Sequence, residues 1–214
     1  MNRLRVGILI FNQVEVLDFC GPFEVFATCR LDEERRRDEP SPFEPILIAE
    51  TTEMITTVGG MKVQPQYSLA DCPPLEVLIV PGGSGARKEI NNEKLLSWIA
   101  KNAKQIKTIA GVCTGAMIIG RAGLLEDKRA TTHWKSLDWM TFSFPDVQVV
   151  RDQHVVEDGN VLTSAGISAG IDLALRIVSR YFGEEVATNT AQHMEYPYTT
   201  DNARRVNPVA HVTA

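Results

Sequence analysis

Gly111-Val112-Cys113-Thr114-Gly115 is the stretch of this sequence best suited to covalent chemistry. Its spacing, G-x-C-x-G, is the cysteine form of the nucleophile elbow G-x-S-x-G. A nucleophile on a tight strand-to-helix turn has a strained backbone, and its neighbours must lack bulk. Glycine two positions before and after is what that geometry asks for. A helix starting just beyond the cysteine aims free N–H groups and partial positive charge at the sulfur, favouring thiolate over thiol. Cys113 is therefore expected to titrate below the value of about 8.5 for a free cysteine. It is also expected to be the most readily alkylated of the four cysteines. The bland alternative is a buried structural thiol before an ordinary helix.

Other candidates surround this one. Gly166-Ile167-Ser168-Ala169-Gly170 matches G-x-S-x-G outright, but the strand before it belongs to a hairpin. Ser168 reads better as the N-cap of the helix that follows. Asp18 stands after the first strand and near a helix start, the edge of a parallel sheet where ligands bind. On position alone it could equally be a cap worth about 1 kcal/mol. Pro81-Gly82-Gly83-Ser84-Gly85 fits no phosphate-binding pattern. It can serve as a tight turn or lend a backbone N–H to an oxyanion. His133, beside Trp134, reads as a packed, hydrogen-bonded residue.

The elements that must position these groups alternate in type. Near-continuous apolar runs at Arg5 to Phe11, Glu44 to Ala49, Leu75 to Val80 and Ile106 to Val112 suit parallel strands covered on both faces. Ile55 to Val63 reads as a hairpin around Gly59-Gly60, and His154 to Thr163 as another around Asp158-Gly159. Helices are expected at Phe23 to Arg30, entered through Pro22, and at Asn91 to Lys101, with Trp98 in the core. Others are expected at Ala116 to Leu125, Gly170 to Phe182 and Glu184 to Met194. Leu31 to Pro40 is a mixed charge run read as a solvated helix end and loop, with i,i+4 ion pairs of small value. One domain spans 1–214, with an irregular tail from about 195.

Composition narrows the function classes. The chain has 214 residues, 44% hydrophobic and 23% charged, ordinary for a soluble globular α/β domain. A formal net charge of -5 argues against binding driven by phosphate neutralisation, so no nucleic-acid partner is expected. No run is long enough to cross a bilayer, and the opening apolar run is too short for a signal core, so a cytoplasmic location is expected. The four cysteines contain no CxxC, and the four histidines form no ligand cluster. Neither a disulfide framework nor a metal or organic cofactor is expected.

Taken together, VLDFCGPFEVF (Val16 to Phe26), IVPGGSGA (Ile79 to Ala86), GVCTGAMIIGRAGLL (Gly111 to Leu125), RATTHW (Arg129 to Trp134) and GISAGIDLAL (Gly166 to Leu175) resemble the DJ-1/PfpI (ThiJ/PfpI) superfamily. Within it, the resemblance is to the members that hydrate isocyanides. It implies a flavodoxin-like three-layer α/β sandwich with a mostly parallel central sheet, akin to class I glutamine amidotransferases, and usually a homodimer. It implies Cys113 as nucleophile, the Asp18 carboxyl beside its sulfur, and an oxyanion site from the N–H groups of Gly83 and Thr114. It implies a small-molecule substrate and no cofactor. A carboxyl beside a thiolate should have a raised pKa, because like charges in a dry site disfavour each other.

One departure matters. Protease-like members carry His directly after the cysteine, where this chain has Thr114, and a thiol protease needs a base within reach. After Phe182 the chain lacks the composition of a helix-turn-helix module, unlike the regulators that share this domain. Three readings remain: a cysteine enzyme hydrating isocyanides to N-substituted formamides, a redox or small-molecule sensor without turnover, and hydration of glyoxals.

Overall fold

A computed structural model of the chain describes residues 3–206. β1 (Leu4–Leu9) leads into α1 (Val16–Thr28), and β2 (Phe43–Ala49) follows the charge run. That run forms turns rather than a helix end, pinned by Arg35–Glu39 at 2.7 Å and Arg36–Glu33 at 2.6 Å. The first glycine hairpin is β3 (Ile55–Thr56) with β4 (Lys62–Val63), antiparallel as expected. β5 (Tyr67–Ser68), β6 (Val77–Val80), α2 (Ala86–Glu89) and α3 (Glu93–Asn102) come next. Trp98 of α3 is half-buried at the core's edge, because its indole N–H donates to the Leu69 carbonyl at 2.8 Å. It is thus not the core residue expected.

β7 (Thr108–Val112) and α4 (Gly115–Arg121) frame the cysteine. β8 (Arg129–Ala130), a short 3₁₀ turn, α5 (Leu137–Ser143) and β9 (Gln148–Val149) form a side layer in which β8 and β9 pair in parallel. β10 (Val155–Asp158) and β11 (Val161–Ser164) make the second hairpin, and α6 (Ala169–Phe182) and α7 (Glu184–His193) close the fold. From Glu195 the described chain carries no helix, and one bridge, Gln153 to Ala203, ties it down. Positions 207–214 of the expected tail lie outside the described residues.

The main sheet has seven strands in the order β10-β11-β7-β6-β1-β2-β5, with every pair parallel except β10 and β11. β6, β7 and β11 are buried along their whole length, which explains their unbroken apolar composition. α1, α6 and α7 pack together on one face, and α2, α3 and α4 on the other. This is the flavodoxin-like sandwich. Its consequence is positional: the turns after β6, β7 and β11 lie side by side at one carboxyl edge. No helix among the described residues is long and apolar enough to cross a membrane.

Candidate active site

The turn after β7 is an elbow. Cys113 has φ 57°, the left-handed region that a residue with a Cβ enters only under strain. The flanking glycines are required by close approach. A Cβ on Gly115 would lie 1.9 Å from the Val80 carbonyl oxygen, and one on Gly111 would lie 2.8 Å from the Ala116 Cα. The elbow is tied down by its own backbone: the Cys113 N–H donates to the Ala165 carbonyl at 3.2 Å. The Cys113 carbonyl accepts from the Thr132 hydroxyl at 2.7 Å.

Asp18 lies in the first turn of α1, which begins at Val16, earlier than expected. Pro22 therefore sits inside this helix rather than at its start. It brings no N–H to the carbonyl of Asp18 one turn back. The Asp18 side chain is fully buried. Its Oδ2 accepts from the Gly82 N–H at 2.9 Å, while Oδ1 is sealed from solvent without a hydrogen-bond partner. Burial, reinforced by the nearby Glu15 carboxylate, pushes this carboxyl up to about 7. The Gly82 N–H, the Cys113 side chain and the Ile167 N–H act in the opposite direction. The direction agrees with expectation but the cause does not: desolvation and Glu15 raise this carboxyl, whereas the Cys113 side chain lowers it.

The thiol does not follow expectation. Cys113 is 7% exposed, and burial together with the Asp18 carboxylate pushes its pKa up. The Thr114 and Ile167 N–H groups and the Thr114 hydroxyl pull it down by less. A helix start supplies about 0.3–1 kcal/mol in ordinary surroundings, which loses to the removal of a thiolate from water. The two groups form a pair that holds its protons tightly.

The remaining expected donor is occupied. The Gly83 N–H donates to the Thr114 Oγ1 at 3.1 Å. The structure also brings the N–H of Ile167, on the turn after β11, near Cys113 and Asp18, where it lowers the pKa of each. Ile167 has φ 56°, a strained value for a β-branched residue. Its contribution was invisible in the sequence because a backbone N–H has no side-chain signature. The one available signal was the second glycine-flanked turn itself. Ser168 is at the N-cap of α6 but makes no capping hydrogen bond through its side chain, and it is exposed. His133 caps the 3₁₀ turn, its Nδ1 accepting from the Lys135 N–H at 3.3 Å. This is the packed role expected. Among the described residues no group of three or more His, Cys, Asp or Glu is arranged to hold a metal ion.

A cysteine on a strand-to-helix elbow, faced by a buried carboxyl and by backbone N–H groups, defines an α/β protein built around a thiol. The DJ-1/PfpI family model matches residues 4–180, and the chain belongs to that family. It is 35% identical over 195 residues to isonitrile hydratase of Pseudomonas putida, covering 90% of this chain and 78% of that one. It is also 30% identical over 134 residues to the HTH-type transcriptional regulator CdhR of Pseudomonas aeruginosa, covering 63% of this chain but 39% of the regulator. Among solved structures, a ThiJ/PfpI family protein from Pseudomonas syringae superposes with a TM-score of 0.80 at 26% identity, over 94% of this chain and 78% of that one. Drosophila melanogaster DJ-1beta has the same fold, with a TM-score of 0.76 at 19% identity over 92% of this chain and all of its own.

Proposed function

We propose that this protein hydrates isocyanides to N-substituted formamides, with Cys113 as nucleophile, Asp18 as proton carrier and no cofactor. The observation that carries the reading is the buried Asp18, whose Oδ1 lacks a partner beside the Cys113 thiol. An isocyanide, R–N≡C, adds a thiol across its terminal carbon. Sulfur bonds to that carbon and the proton shared by the pair passes through Asp18 to the same carbon, giving the thioimidate R–N=CH–S–Cys113. The step consumes one proton, and a carboxyl pushed up to about 7 can carry it near neutral pH while sulfur attacks. Water then adds, its hydroxyl to carbon and its proton to nitrogen. Collapse of R–NH–CH(OH)–S expels sulfur and leaves R–NH–CHO. The hydroxyl proton returns to the pair. Charge that develops on sulfur or oxygen meets the N–H groups of Thr114 and Ile167. The Gly83 N–H joins them only after leaving the Thr114 hydroxyl.

The test is turnover of an aryl isocyanide by purified protein, with formamide followed by mass spectrometry. Saturable formation that vanishes in Cys113→Ala supports the reading. Turnover of methylglyoxal with none of isocyanides moves the assignment to glyoxal hydration. Similarity to CdhR over the shared domain favours, as second reading, a small-molecule sensor. Inertness to both substrates, with ligand-dependent stabilisation, would select it. We further propose a homodimer in the cytoplasm, on family resemblance, which a monomeric sedimentation profile at micromolar concentration would overturn.

A further inference from the structure

Beside the Ile167 turn lies a second feature to which the steps above assign no role. A cavity of about 360 Å³ is bounded by His133, Trp134, His154, Ile167, Arg204 and Arg205. Its size suits a small organic molecule. Its two arginines differ sharply. Arg205 is neutralised: its Nη1 and Nη2 donate to the two oxygens of Asp172 at 3.0 and 2.6 Å. Asp172 also accepts from the Tyr196 hydroxyl at 2.6 Å and faces the His154 Nε2 at 3.2 Å, so it has no capacity to spare. Arg204 is 7% exposed, yet all of its acceptors are neutral. Its Nε donates to the Arg151 carbonyl at 2.7 Å, and its Nη2 donates to the Thr131 hydroxyl and to the Thr132 carbonyl at 3.2 Å. Nη1 has no partner among the described residues and is not sealed from solvent. The acid whose field reaches Arg204, Asp152, is exposed, makes no ion pair with it and is opposed by Arg151. Burying a guanidinium without a counter-ion is costly, and a fork already fixed by three hydrogen bonds is a ready receptor for a planar anion. Burial, with Lys135 and Arg204 nearby, lowers the pKa of His133 on the same wall.

Cys113 does not line the cavity, but residues around it do or bond to residues that do. Ile167 lines it while its N–H faces Cys113, and a Cβ on Gly166 would lie 2.1 Å from the His133 ring. Arg204 holds the Thr132 carbonyl, and Thr132 in turn holds the Cys113 carbonyl. We propose that this cavity receives a carboxylate on the substrate, bound by the Nη1 side of Arg204, with Trp134 and Ile167 flanking the substrate's apolar body. Among the described residues Arg204 is the one guanidinium lining the cavity without a carboxylate partner, which matches a monoanion better than a phosphate. As a statement about substrate, this rests on the proposed chemistry at Cys113.

The experiment has two arms. Calorimetric titration of wild-type protein should show benzoate binding at least 10-fold more tightly than its neutral isostere benzamide. Arg204→Met should erase that difference, and Arg204→Lys, which keeps the charge, should retain part of it. Near-UV circular dichroism checks each fold, and if the Met variant is misfolded the Lys variant decides. Equal affinities in wild type, a preference that survives Arg204→Met, or complete loss of the preference in a folded Arg204→Lys would overturn the pocket. In the second arm, 4-isocyanobenzoate should exceed 4-isocyanobenzamide in kcat/KM by at least 10-fold in wild type. Equal values there would overturn the substrate assignment. If neither is turned over while benzoate still binds through Arg204, the hydration reading fails and the carboxylate pocket stands.

Discussion

The two glycine-flanked turns, Gly111 to Gly115 and Gly166 to Gly170, follow neighbouring parallel strands, each strand fully buried, and each turn contains a non-glycine residue near φ 57°. They differ by one residue in where that strain falls. In the first turn it falls on the central residue, Cys113, whose side chain is thereby buried beside Asp18. In the second it falls on Ile167, one residue before the centre, and Ser168 has ordinary helical angles and faces solvent. The second turn thus contributes a backbone N–H to the site and no nucleophile. A motif written as G-x-nucleophile-x-G describes permission to turn tightly, and the register of the left-handed residue decides which atom is presented.

The largest effect expected from this contrast is in turnover. Cys113→Ala should lower the proposed isocyanide hydration by at least about 10⁴-fold, since it removes the sulfur that bonds to carbon. Ser168→Ala should change it by less than about threefold. Steady-state formamide formation by both variants checks this, and a Ser168→Ala protein as dead as Cys113→Ala would invert the comparison.

Asp18 touches both turns, and its replacement separates proton transfer from packing. Asp18→Asn should lower turnover by about 10²–10⁴-fold, the usual worth of a positioned acid or base. It should also change the pH dependence of stability. The folded carboxyl is pushed up to about 7 from 3.8, so the native state binds the proton more tightly than the unfolded chain does. Stability then falls as pH rises between those values and is flat beyond them. The loss carried by this group is of the order of 4 kcal/mol. Urea unfolding at pH 4 and pH 7.5 should show wild type losing ground against Asp18→Asn over this interval. Parallel pH profiles would mean that the carboxyl is ionised in both states.

Apolar runs made the buried parallel strands legible, and glycine spacing made the elbow legible, because both follow from sterics that the sequence carries. The start of α1 was missed: Pro22 reads as a first-turn residue, but this helix accommodates it in its interior. The depth of Cys113 was missed for a related reason, since a helix start is visible in sequence and the desolvation opposing it is set by the whole fold. The strand before Gly166 reads as part of a hairpin, which it is, and β11 also pairs in parallel with β7 inside the sheet. Ser168 is disqualified by backbone register, which no residue type announces.

The smallest effect concerns the second glycine of each turn, which occupies the same place in the two motifs. Alanine at 115 would put its Cβ 1.9 Å from the Val80 carbonyl oxygen and 2.7 Å from its carbon, and these are strand backbone atoms that cannot step aside. Gly115→Ala should therefore force the start of α4 away from the end of β6 and cost roughly 3 kcal/mol or more. Alanine at 170 meets nothing closer than a Val112 methyl at 3.1 Å, a contact that a small side-chain shift relieves. There the gain in helix propensity, up to about 1 kcal/mol, offsets the crowding, so Gly170→Ala should stay within about 1 kcal/mol of wild type. Chemical denaturation midpoints for the two variants measure the difference directly. A Gly170→Ala protein as destabilised as Gly115→Ala would show that the second turn is packed as tightly as the first.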